Sequence, residues 1–155
     1  MTNNASYPAV NIASYIIRRS NERGRRISNL ELQIILYFCV GEIFRKHGTP
    51  LVVEDFYAWS IGPVVREVYD VFCLYGGYPI PPNSVDDGGR IDEKYLSDID
   101  AVIDKCITYQ GYELIQKACE TEPWKYTYKI FGYRSRISKA SIENFFGEND
   151  SIILG

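Results

Sequence analysis

Apolar residues recur at intervals of three and four along most of this chain, and in one stretch the interval drops to two. Ala9, Ala13, Ile16 and Ile17 share one face of a first helix. It starts near Pro8, since proline suits a first helical position, and ends by Gly24. The "SNLE" at 28–31 is a capping box: Ser28 accepts from the backbone three residues on, and Glu31 reaches back. From there Leu30, Leu32, Ile34, Ile35, Leu36, Phe38, Cys39 and Ile43 cover more than one face, which places the second helix in the middle of a bundle. Gly41 permits close approach of a neighbour, and Gly48, with Pro50 after it, ends the helix.

Between Leu51 and Ile61 the period is two. Leu51-Val52-Val53 and Tyr57-Trp59-Ile61 read as a small hairpin around Glu54 and Asp55. Gly62-Pro63 then reads as a junction where strand stops and helix begins, because proline cannot donate to a ladder but is preorganised for a helix start. The third helix carries Val65, Val68, Tyr69 and Phe72 and ends at Gly76-Gly77. Residues 76–90, "GGYPIPPNSVDDGGR", are a loop by composition. A fourth helix at 92–108 turns Leu96, Ile99, Ile103 and Cys106 inward, and Gly111 breaks it from a fifth at 112–120. "TEPWKYTY" at 121–128 reads as a turn followed by an aromatic, basic stretch, and "ISKASIENFF" at 137–146 as a last helix capped by Ser138. The expected fold is mainly α: a compact bundle of five to six helices with a small β-hairpin between the second and third. It is read as a single domain over 1–155, with its core at 9–146 and flexible termini.

Composition agrees with that picture. With 155 residues, 46% of them hydrophobic and 24% charged, the chain can bury a real core. A net charge of −3 exerts no global pull on nucleic acid. The charges are nonetheless segregated. Arg18, Arg19, Arg23, Arg25 and Arg26 crowd one segment, and Lys125, Lys129, Arg134, Arg136 and Lys139 another. Asp86, Asp87, Asp92, Glu93, Asp98, Asp100 and Asp104 make 86–104 acidic. Such patches either serve a partner or pair with each other. "MTNNASYPAV" lacks the basic start and apolar block of a secretory leader, and no apolar run reaches bilayer length, so a cytoplasmic, membrane-free protein is expected. Cys39, Cys73, Cys106 and Cys119 form no C-x-x-C, and three lie within apolar helical patterns, which suits reduced core thiols.

Candidate chemistry is sparse. The single histidine, His47, sits at a helix end, so every Ser-His-Asp or Cys-His arrangement would have to share it. No spacing suits zinc, and no phosphate-binding glycine motif occurs. Glu54-Asp55 and Asp98/Asp100 read as solubilising acids, with Asp55 a candidate to hold the hairpin turn. "KYTYKIFGYRSR" at 125–136 interleaves bases with aromatics, a composition that suits stacking on nucleic acid or a protein-protein hot spot. The acidic overall balance favours the protein partner.

"LELQIILYFCVGEIF" followed by "PLVVEDFYAWSIGPVVREVYDVFCLYG" resembles the Panacea domain, the SocA-like antitoxin family often borne by phages and prophages. The likeness is carried by Leu32, Leu36, Tyr37, Phe38, Pro50, Leu51, Glu54, Phe56, Ala58, Trp59, Gly62, Pro63, Val64, Tyr69 and Phe72. Glu122-Pro123-Trp124 and the closing 137–146 helix extend it over 9–146. The resemblance implies a non-enzymatic protein, without a cofactor, that binds a toxin protein and silences it. In one branch such proteins also act as adaptors feeding the toxin to a protease. The shared residues Trp59, Gly62 and Pro63 are types that make folds, so the opening junction is expected to shape a platform. Candidate partner contacts are Tyr75, Tyr78, Trp124, Tyr126 and Tyr128, with Arg23, Arg25 and Arg26 as a charged rim. The alternatives are a phage-encoded inhibitor or protease adaptor acting on a host protein, and a nucleic-acid-binding module through 125–139.

Overall fold

The capping box forms as the spacing predicts. Ser28 accepts from Glu31 N–H at 3.2 Å, and the Glu31 carboxylate accepts from Ser28 N–H at 2.9 Å. In this computed structural model, which describes residues 6–85 and 89–154, the helix it starts runs Asn29–His47 and is closed by Gly48 in the left-handed conformation (φ 70°). Preceded by a helix at Ala9–Glu22 (α1), this is α2. The chain continues through strands Phe56–Trp59 (β1) and Gly62–Val64 (β2) and helices Arg66–Phe72 (α3), Glu93–Cys106 (α4), Gly111–Cys119 (α5) and Glu122–Phe131 (α6). Strand Ser135–Ile137 (β3) and helix Lys139–Glu148 (α7) complete it. Short 3₁₀ turns occupy Cys73–Tyr75 and Pro82–Ser84. Asp86 and Asp87 of the acidic segment lie outside the described residues.

Helix α2 is central because its sequence leaves no polar face. Leu32, Ile34, Ile35, Leu36, Tyr37, Phe38, Cys39 and Ile43 are all buried, and α1, α4, α5 and α7 pack around it. Gly41 is the point of closest approach, where a Cβ would stand 2.5 Å from the Phe146 ring of α7. Tyr37 sits edge-on to Phe38, Phe56 and Phe146, and its hydroxyl bonds the Thr121 hydroxyl at 2.7 Å. Ala9, Ala13, Ile16 and Ile17 of α1 and Ile99, Ile103 and Cys106 of α4 face the core as their spacing requires.

The fold is mainly α, with three corrections. The helices number seven among the described residues, because 121–128 belongs to α6, not to a turn and an irregular stretch. Pro123 lies in its first turn, where the missing N–H costs nothing. The hairpin is shifted: Tyr57 faces Val64, Ala58 faces Pro63 and Trp59 faces Gly62, while Leu51–Val53 forms only a bridge from Val52 to Tyr7. Pro63 is therefore not a helix start. It sits in β2, and α3 begins at Arg66. Proline is tolerated there because β2 is an edge of the sheet. Finally, β3 joins the other side of β1, with Phe56 opposite Ile137 and Ala58 opposite Ser135, giving an antiparallel sheet in the order β2-β1-β3.

Acids expected to be solvated have structural work instead. Glu54 accepts from Ala9 N–H at 2.7 Å, so it caps α1, which has no cap of its own. Asp98 accepts from His47 at 2.8 Å, and Lys139 lies 3.5 Å from Asp55. No described helix is long and apolar enough to cross a membrane.

Candidate functional site

The junction at Trp59-Gly62-Pro63 holds three elements together. Gly62 has φ 128°, and a Cβ there would come within 2.9 Å of Ile34 on α2, so both the backbone angle and the close approach call for glycine. The Trp59 carbonyl accepts from the Trp124 indole of α6 at 2.9 Å. The Trp59 ring, 8% exposed, packs 4.9 Å from Tyr69 of α3 and lies 4.2 Å beneath the Arg134 guanidinium. Its own indole N–H is buried and has no partner among the described residues.

The expected partner contacts fall into three places. Arg23 and Arg25, after α1, are engaged in ion pairs: Arg23 with Asp104 at 2.9 Å, Arg25 with Glu31 at 3.1 Å. Arg26 is exposed beside them. Tyr75 is half-buried against the core, whereas Tyr78 stands out in solvent. On α6, Trp124 and Tyr128 stack in parallel at 4.7 Å as an i, i+4 pair, and Tyr126 points outward. What the candidate residues did not include are Ile130, Phe131 and Tyr133, which join Tyr126 as large exposed apolar side chains. Reading 121–131 as a helix would have shown Tyr126 and Ile130 on one face.

Two of the charged segments do meet each other. Arg19 and Arg23 converge on Asp104, with Arg19 Nη2 2.7 Å from its carboxylate, and Tyr15 donates to Asp100. The Arg19 hydrogen bond, aided by the Arg19 and Arg23 charges, holds the Asp104 carboxyl below its ordinary 3.8. The folded state thus binds fewer protons there than the unfolded chain. The contribution of this pair is complete above about pH 5 and is lost as pH falls through the folded-state value. Replacing Asp104 by Asn is expected to flatten acid unfolding below about pH 5, with a cost at neutral pH of about 1 kcal/mol or less, since about a third of the Asp104 side chain still meets solvent. Urea melts at pH 7 and pH 4 measure both.

Cys39 and Cys106 are core thiols as expected, whereas Cys119 is half-buried and Cys73 is exposed. Burial raises Cys39 and Cys106 well above the ordinary thiol range and pushes Cys119 up to about 11. His47 is occupied by Asp98 and sits edge-on to Tyr95 at 5.0 Å. Among the described residues no three His, Cys, Asp or Glu side chains gather as metal ligands.

A fold built on these motif residues is that of a recognised class. The chain belongs to the family described as antitoxin SocA-like, Panacea domain, which it matches over residues 32–125. Among characterised proteins it is similar to Antitoxin SocA of Caulobacter vibrioides (strain NA1000 / CB15N), with 38% identity over 65 residues. That match covers 42% of this chain and 35% of the relative, so it spans about a third of the relative's length. No solved structure matches the chain.

Proposed function

We propose that this protein is an antitoxin that binds a toxin protein directly and silences it by covering its working surface. The reading is carried by membership of the SocA-like family over 32–125. The residues of its shared motif support a scaffold role: Leu32, Leu36, Tyr37, Phe38, Leu51, Phe56, Ala58, Val64 and Phe72 are core, and Glu54 caps a helix. Side chains spent on packing leave recognition to the surface, and bonds are neither made nor broken by this chain. The protein acts in the cytoplasm, in a phage or prophage setting, on a toxin encoded beside it.

The experiment is co-expression in a bacterial host. The product of the adjacent reading frame, induced alone, is expected to arrest growth, and induction of this chain to restore it, with the two proteins co-purifying. A neighbour that is harmless alone, or arrest that persists beside abundant folded chain, contradicts the reading. If the chain instead captures host proteins and no small toxin, it acts as an inhibitor or adaptor on the host.

A further inference from the structure

Arg134 is the only residue other than glycine with positive φ among the described residues, at 69°. The turn from α6 into β3 needs a left-handed residue, and the Arg134 N–H donates to Ala58 O at 2.7 Å. Nothing in that backbone role calls for arginine; glycine or asparagine would adopt the angle with less strain. The side chain must therefore be accounted for separately.

Its guanidinium lies 4.2 Å over the Trp59 ring and 5.2 Å over Tyr133, with no carboxylate partner among the described residues. It lines an open cleft of about 420 Å³ together with Trp59, Tyr69, Arg66, Glu67 and Asp70. Arg66 is held in the same way, 4.0 Å over Tyr57 and bonded to its hydroxyl. Two guanidinium groups are thus fixed on aromatic faces with donors to spare. A guanidinium held over a ring keeps N–H groups that can pair with a carboxylate.

Arg134, which lines the cleft, also lies over the exposed Tyr133 ring. Tyr126, Ile130, Phe131 and Tyr133 are each more than half exposed, and Tyr126 meets Phe131 edge to face at 6.2 Å. Lys129 and Arg136 lie exposed on the same stretch, and no acid occurs between Glu122 and Glu143. Exposed aromatics beside arginine are the composition of a protein-binding hot spot, and the excess of positive charge selects an acidic complement. A nucleic acid suits it less well. Its evenly charged backbone would meet Glu67 and Asp70 in the cleft, whereas a peptide can confine its charge to one carboxylate.

We propose that the outer face of α6 and the Trp59–Arg134 cleft together dock an apolar segment of a partner protein carrying an Asp or Glu, whose carboxylate seats on Arg134 beside Arg66. This rests on the reading that the chain works by binding a protein.

The test is a random 16-residue peptide display library panned against the full chain. Enriched peptides are expected to carry Asp or Glu among aromatic and aliphatic residues. Arg134→Gly fits the left-handed turn, so its thermal midpoint should stay level or rise while affinity for those peptides falls roughly tenfold or more. Lys129→Glu, an exposed change, should weaken them too, and so should Glu→Gln within the peptide. The proposal is overturned by no enrichment over an unrelated folded control, by enriched peptides without acids, by unchanged affinity in Arg134→Gly, or by tighter binding of a 20-mer oligothymidylate. Peptide binding as expected with no growth rescue removes the toxin reading and leaves the surface. Rescue that Arg134→Gly does not weaken removes the surface and leaves the toxin reading.

Discussion

Replacing Phe146 by alanine will lower stability by about 3–5 kcal/mol, the cost of deleting a large buried ring and leaving its space. Phe146 is 3% exposed and packs edge-on with Tyr37 and Phe38 of α2 and with Phe145 beside it, so it ties α7 to the central helix. Gly41 makes the case sharper. In the intact protein, Gly41→Ala gains about 1 kcal/mol of helix propensity but drives a Cβ into the Phe146 ring, and overpacking of that kind costs about 1–3 kcal/mol. Without the ring, only the gain remains. The two substitutions should therefore be strongly non-additive, with Gly41→Ala neutral or destabilising alone and stabilising in the Phe146→Ala background. Chemical denaturation of the four proteins checks this; simple additivity would mean that the contact does not govern the packing.

Gln33→Leu will cost about 2–4 kcal/mol, although leucine is apolar and similar in size. Gln33 is fully buried and works through hydrogen bonds at both ends of its amide. It accepts from Val65 N–H at 3.0 Å and donates to Asn29 at 3.1 Å, and Asn29 donates to Tyr69 O at 3.1 Å. Leucine would strand the Val65 N–H and an Asn29 lone pair away from water, each worth about 1–3 kcal/mol. Helix α3 has no side-chain cap of its own, so the central helix supplies what its first turn lacks. Hydrogen exchange localises the effect. The Val65 amide should become one of the faster-exchanging core amides in the variant, while α2 keeps its protection. Equal loss of protection everywhere would point to general softening of the core.

What could be read from the sequence was whatever is settled locally. The capping box, the helix end at Gly48 and the Ser138 cap are decided within a few residues, and each is present. The misread segments depend on distant partners. Gly-Pro looks the same before a helix as in a three-residue edge strand, and only the pairing with Ala58 decides. Strand β3 exists because Phe56 meets Ile137 across a long separation, which no window can show. Helix α6 hid because Trp124, Tyr126 and Tyr128 alternate as in a strand. Its helical state comes from burial of Pro123 and Thr127 and the stack of Trp124 on Tyr128.

The same limit applies to the surface. That 125–139 is basic and aromatic was plain from composition, but a composition has no faces. Folding turns Trp124 and Tyr128 partly inward, leaves Tyr126, Ile130 and Phe131 outside, and brings Arg134 onto Trp59. The arginines after α1 looked equally available, yet Arg23 and Arg25 already have carboxylates of their own.

The most direct measurement is a titration of the purified toxin, at fixed concentration, with the purified chain while toxin activity is followed. Neutralisation by binding predicts a linear fall in activity that ends at a small whole-number ratio of the two proteins, with a complex of that ratio isolated afterwards. Silencing by far less chain than toxin, with the toxin chemically altered, would show that the chain acts as a catalyst and would contradict the reading.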